Sequence, residues 1–352
     1  MTLVEISNLS LWSAVAVYAL AFIAFAFDLA RRGAEVTAAA DAAARAESGE
    51  VVGAVAGASA SAPASASAAS ARGGSTLTAA RPAGRGSGAG AVDGEAAPVR
   101  KSPSLRVGVS LTVIAFLLHL TADVTRGIAA GRVPWANMYE FAMTGTLLII
   151  AVFLAVLTRV DVRFLGTFIV GLVTVLLGLA TANFYVEVVP LPPALQSAWL
   201  VIHVFVASLG TAFFAIGFAL SVVQLLQQRR ERLALTGVST KLKFVQTLPT
   251  AERLENLAYR INIVGFIFWT FTLMAGAIWA ERAWGRYWGW DTKEVWTFII
   301  WVIYAGYIHA RATRGWRGSR AATLAIIGFT AVMFNFTVVN VFFKGLHAYS
   351  GL

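Results

Sequence analysis

Phe164-Leu165-Gly166-Thr167-Phe168-Ile169-Val170-Gly171-Leu172-Val173-Thr174-Val175-Leu176-Leu177-Gly178-Leu179-Ala180-Thr181-Ala182-Asn183-Phe184-Tyr185-Val186 runs for 23 residues without a charged side chain. A bilayer core is about 30 Å thick, and a helix of roughly 20 mostly apolar residues crosses it. Seven other segments meet the same condition: 9–30, 106–128, 138–158, 199–226, 261–281, 294–311 and 321–343. The whole chain is 58% hydrophobic and 13% charged, too apolar for a water-soluble domain. These segments predict an all-α, polytopic membrane protein with about eight transmembrane helices.

Basic residues set the expected topology, because Lys and Arg concentrate in cytoplasmic loops. They cluster at 31–106, at Arg159 and Arg163, at 227–260, and at Arg311, Arg314, Arg317 and Arg320. All four clusters fall on one side, which puts both termini and the segment 282–293 on the outer, extracytoplasmic face. The first apolar run has no basic stretch before it and is followed by Arg31-Arg32, so it reads as a retained anchor. The net charge of +10 follows largely from the same bias and does not call for nucleic acid. With no cysteine, the chain has no disulfide, zinc-thiolate site or thiol redox step of its own.

Three regions are expected: an anchor at 1–34, an Ala-, Ser- and Gly-rich disordered cytoplasmic linker at 35–104, and a seven-helix core at 105–352. The linker has too few large apolar side chains to offset the entropy of ordering. In the loop 227–260, leucines interleaved with charge suggest short interfacial helices. Prolines at 190, 192 and 193 interrupt helix between two spans. No Gly-rich phosphate loop and no hydrolase triad context is present, so no catalytic residue is assigned. Asp28, Asp123, Arg126 and Glu281 read as solvated helix ends or packing pairs, and Asn183 and Asn335 as packing groups.

Residues 279–296 carry five tryptophans: Trp279, Trp284, Trp288, Trp290 and Trp296. An interfacial aromatic belt accounts for Trp279 and Trp296. It accounts less well for Trp284, Trp288 and Trp290, whose intervening Gly285 and Gly289 allow a close backbone approach to something flat. A planar, apolar, anionic ligand suits this surface, with Arg282, Arg286 and Lys293 able to meet carboxylates. Haem fits that description, although composition alone does not name it.

The string Trp284-Gly285-Arg286-Tyr287-Trp288-Gly289-Trp290-Asp291-Thr292-Lys293-Glu294 resembles the tryptophan-rich WWD signature, WGxxWxWDxKE, of the haem-handling proteins of cytochrome c biogenesis, the CcsA, ResC and CcmC type. It is most similar to the CcsA/ResC subunit of the Ccs (system II) pathway. Thr292 stands where the family often has proline; either suits a starting helix. The likeness extends to Tyr307-Ile308-His309-Ala310-Arg311, to Gly345-Leu346-His347-Ala348-Tyr349, and to Pro134-Trp135-Ala136-Asn137-Met138-Tyr139-Glu140, which resembles the family's P-x-N-x-Y-E segment.

The resemblance implies haem b as a transported substrate, apocytochrome c as recipient through its CxxCH motif, and a second membrane protein of the Ccs1 or ResB type in a bacterial cytoplasmic membrane. There are four histidines. His203 and His347 fall at the depth of the tryptophan segment, and the family places two axial haem ligands at matching positions. His309 lies roughly 20 Å deeper at about 1.5 Å per residue and resembles the family's intramembrane haem ligand. Its axial partner stays open between His119 and a residue of the partner protein. Asp291 either orients an indole or caps the following helix. The expected role is delivery of haem for covalent attachment, as part of a cytochrome c synthase. A membrane electron-transfer protein with permanent haem b, and a haem exporter without ligation activity, are the alternatives.

Overall fold

The computed structural model describes residues 1–58, 102–237, 242–313 and 315–347. Among these, nine α-helices follow one another: α1 (Leu3–Ala58), α2 (Pro103–Ala130), α3 (Met138–Leu157), α4 (Gly166–Asn183), α5 (Ala198–Leu235), α6 (Ala251–Trp284), α7 (Thr292–Thr313), α8 (Ser319–Phe336) and α9 (Val338–Phe342). No strand occurs among the described residues. The chain divides into two units, Met1–Val36 with Lys101–Leu352, and Thr37–Arg100.

Seven segments are helices long and apolar enough to cross a membrane, the last formed by α8 and α9 together. The chain is a multi-pass membrane protein. The eighth expected span, α7, has 22 residues and so is about 33 Å long, but is less apolar. It carries Lys293, Glu294, His309 and Arg311, and its tryptophans and tyrosines have polar tips.

Two expectations change. Helix α1 continues beyond Arg31-Arg32 to Ala58, so residues 35–58 of the expected linker are helical. Alanine, the best helix former, dominates there. Of the rest of the linker, 59–101 lie outside the described residues, and 102–104 form the cap and start of α2. The loop 227–260 is shorter than expected, because α5 runs on to Leu235 and α6 starts at Ala251, with a 3-10 turn at Lys243–Thr247 between them.

Capping explains most starts. Ser102 accepts from Leu105 N ahead of Pro103, Ser197 accepts from Trp199 N, and Thr250 accepts from Arg253 N. Asn137 accepts from Glu140 N at 2.9 Å, and Glu140 reaches back to Ala136 N at 3.0 Å, so the P-x-N-x-Y-E segment is the capped start of α3. The last span breaks at Thr337, whose hydroxyl donates back to Met333 O.

The principal pairing is α5 against α6, and its contacts recur in seven-residue steps. His203 lies against Gly276, Gly210 against Trp269, Gly217 against Asn262, and Gln224 donates to Glu255. Between them Phe214 covers Gly265. Rising numbers on one helix meet falling numbers on the other, so the pair is antiparallel. A heptad seam of this kind is the geometry of a left-handed coiled coil. Each glycine admits one bulky neighbour, and a methyl group at Gly265 would stand 2.8 Å from the Phe214 ring.

Buried charge ties the surrounding helices. Glu140 pairs with Arg126 at 3.0 Å and Arg132 at 2.7 Å, and the Arg126 guanidinium donates to Val186 O in the α4–α5 connection. Arg126 is fully buried, so it is a packing pair and not a solvated helix end. At the other end of the bundle Glu255 accepts from Arg311 on α7 and from Gly318 N before α8. Trp269 Nε1 donates to Thr297 O, which fixes the N-terminal part of α7 on α6.

Candidate functional site

Helix α6 ends where Gly285 takes φ +69°, with its N–H donating to Glu281 O. Helix α7 begins with a capping box: Asp291 accepts from Lys293 N, and Glu294 reaches back to Asp291 N at 3.0 Å. The same Glu294 oxygen accepts from Gly289 N at 2.8 Å. These two N–H groups flank Trp290, which has φ +57°. Such a left-handed tryptophan is held only when its surroundings over-determine it, and the buried Glu294 carboxylate does so. The Trp290 indole is 71% exposed and stands edge-on to Trp288 at 5.8 Å.

The two motif glycines serve the protein itself. Gly285 ends α6, and Gly289 lies beside the Arg286 guanidinium, where a Cβ would collide with it. The backbone is open at Gly285, where a Cβ would meet nothing within 4 Å, while the Arg286 side chain occupies that space at Gly289.

Asp291 also joins the C-terminal segment to the loop. His347 Nδ1 donates to its carboxylate at 2.7 Å and Leu346 N donates at 3.3 Å, with Gly345 leaving room for the carboxylate. The hydrogen bond from His347 holds the Asp291 carboxyl below its usual range, against the opposing effect of burial. Asp291 thus caps α7 and orients a histidine; no indole bonds to it among the described residues.

His203 reaches the same place from α5. Its Nδ1 donates to Thr272 O at 3.1 Å, its ring stacks on Trp279 at 5.7 Å, and Gly276 supplies the space. Trp279 in turn meets Trp284 at 4.8 Å and His347 at 5.4 Å, edge to face. At 2% exposure Trp279 is the centre of the cluster and not part of an interfacial belt. Sequence reading missed it because its role depends on the α5–α6 register, which brings Leu200 and His203 to its level.

Both Nδ1 atoms face oxygens that only accept, a carbonyl and a carboxylate. In its neutral form each ring therefore carries its proton on Nδ1, which leaves the lone pair on Nε2 for a metal. A pair of neutral imidazoles with Nε2 available is the donor set for an iron porphyrin. His203, Tyr287, Trp288, Lys293 and His347 line one pocket of about 60 Å³. A second, mostly apolar cavity of about 210 Å³ lies behind it, between α3, α4, α5 and α8, and shares His203, Thr272, Lys293 and Thr297 as walls. Lys293 stands between the two and donates to Asn340.

The structure brings together His203, His347, Trp284, Trp288, Asp291 and Lys293. It leaves Arg286 and Trp290 exposed at the rim. His119 is buried on α2, with the Tyr18 hydroxyl 3.5 Å from its Nδ1. His309 is exposed on α7. No contact joins these two among the described residues.

Residues 135–347 match the model of the family described as cytochrome c assembly protein. The chain belongs to that family. The match starts at Trp135, which packs against the Trp279 cluster, and ends at His347, so it spans the site from one edge to the other. His119 and α1 precede it. Similar proteins include the "Cytochrome c biogenesis protein CcsA" of Guillardia theta, 34% identical over 70% of this chain and 86% of that one. That of Parasynechococcus marenigrum is 35% identical over 70% and 88%. That of Prochlorococcus marinus is 38% identical over 64% and 78%.

Proposed function

We propose that this family member holds haem b, as a transported substrate, at the extracytoplasmic face of a bacterial cytoplasmic membrane and delivers it to apocytochrome c. The observation that carries the reading is the pair His203 and His347, each with Nδ1 committed and Nε2 available, at one tryptophan-walled pocket. The relatives' name, cytochrome c biogenesis protein, supports the same assignment.

In this reading His203 and His347 are the axial ligands, and Trp284, Trp288 and Trp290 cover the macrocycle. Lys293 and Arg286 meet the propionates. The pocket is smaller than a porphyrin, so binding parts the Tyr287–Trp288 wall and uses the adjoining cavity. A CxxCH segment then presents its thiols to the vinyl groups. Each S–H adds across a vinyl double bond to form a thioether, and positioning supplies the rate. His309 is assigned to haem in transit, with its second ligand from a Ccs1- or ResB-type partner; the burial of His119 against Tyr18 favours that partner over His119.

Co-expression of an apocytochrome with the partner, with and without this chain, tests the reading. Covalent haem on the cytochrome only when the chain is present is expected. Attachment that proceeds without it removes the synthase role, and exported haem without attachment makes the chain an exporter.

A further inference from the structure

The two imidazoles are held by different acceptors. His347 donates to a carboxylate at 2.7 Å, His203 to the Thr272 backbone carbonyl at 3.1 Å. Resting on the haem-site reading, we propose that Asp291 is a positioning residue that makes His347 the retained ligand and leaves His203 as the ligand that yields to an incoming imidazole.

A carboxylate accepting from Nδ1 raises the basicity of the opposite nitrogen and fixes the ring. A neutral carbonyl does so less, because charge-assisted hydrogen bonds are roughly twice as strong as neutral ones. The Asp291 carboxylate is itself anchored by Lys293 N and Leu346 N, so the His347 ring is held from both α7 and its own chain segment. His203 has one polar tether and a stacking contact with Trp279. In the exchange the bond from iron to His203 Nε2 breaks and a bond to the incoming nitrogen forms. The iron oxidation state does not change, and His203 leaves as neutral imidazole.

The test uses the full chain purified with haem. Asp291→Asn keeps a helix cap of equal quality and nearly the same shape; with its amide oxygen toward His347 and Lys293 N it removes the charge and the acceptor of the long Leu346 N–H bond. The expected result is a ten- to hundredfold loss of ferric haem affinity and a rise in midpoint potential. A tenfold loss confined to the ferric form corresponds to about 59 mV for one electron. Asp291→Glu restores part of both. His203→Ala is expected to retain haem in a five-coordinate, high-spin form that added imidazole converts to six-coordinate, whereas His347→Ala loses most of its haem. An unchanged potential in Asp291→Asn, or equal haem loss in the two histidine variants, overturns the asymmetry and leaves the site standing. A spectrum unchanged in both histidine variants overturns the site itself.

Discussion

Glu140 and Trp290 show how much single residues carry in this protein. Glu140 is fully buried between Arg126 and Arg132, and removing one partner of a buried pair costs about 3–5 kcal/mol because the other charge is left unpaired. Glu140→Gln is therefore expected to lower yield and thermal stability in detergent sharply; a melting curve like that of the wild type contradicts this. Trp290 works in the other direction. Its left-handed backbone costs on the order of 1 kcal/mol, so Trp290→Gly should melt no lower than wild type while binding haem more weakly. A variant that melts lower yet binds haem unchanged means that the indole is structural. At this scale the sequence was partly legible. The motif pointed to Trp284, Trp288 and Asp291, and depth along the helices pointed to His203 and His347; the fold brings these residues together. It did not reveal that Glu294 holds Trp290 from both sides, or that Glu140 neutralises two arginines, because both depend on side chains folding back across a helix start.

Among the elements, the α5–α6 seam positions the site. His203 belongs to the same seven-residue series as Gly210, Gly217 and Gln224, so the register that packs the two helices also sets the height of the imidazole. Two substitutions separate these roles. Gly217→Val forces a side chain against the Asn262 amide in the middle of the seam and should destabilise the protein by about 1–3 kcal/mol. Gly276→Ala puts a methyl group 2.7 Å from His203 Cε1 and should chiefly reduce haem content, with a smaller change in melting temperature. Haem loss in Gly217→Val alone would place the coupling elsewhere. The helices themselves were readable from their apolar runs. The length of α1 was not, since an Ala-rich segment has a strong helical preference and little apolar surface to mark it. The seam was hidden because small residues alternating with large ones leave no hydrophobic contrast in a segment that is apolar all round.

On the scale of the whole molecule, delivery of haem to an apocytochrome depends on which face of the membrane carries residues 285–291. The absence of cysteine makes a background-free test available. Tyr287→Cys is expected to react with a membrane-impermeant maleimide in intact spheroplasts, and Lys243→Cys only after permeabilisation; the opposite pattern inverts the topology. The multi-pass architecture was legible from composition, while α7, expected as an eighth span, falls outside the seven helices apolar enough to cross a membrane, since it carries the charged start of the motif. Absorption spectroscopy of the purified full chain with its haem tests the central claim most directly. Six-coordinate, low-spin bis-histidine haem is expected in the wild type and is lost in both His203→Ala and His347→Ala. A low-spin spectrum that survives either substitution unchanged would contradict the assignment of that histidine as a ligand.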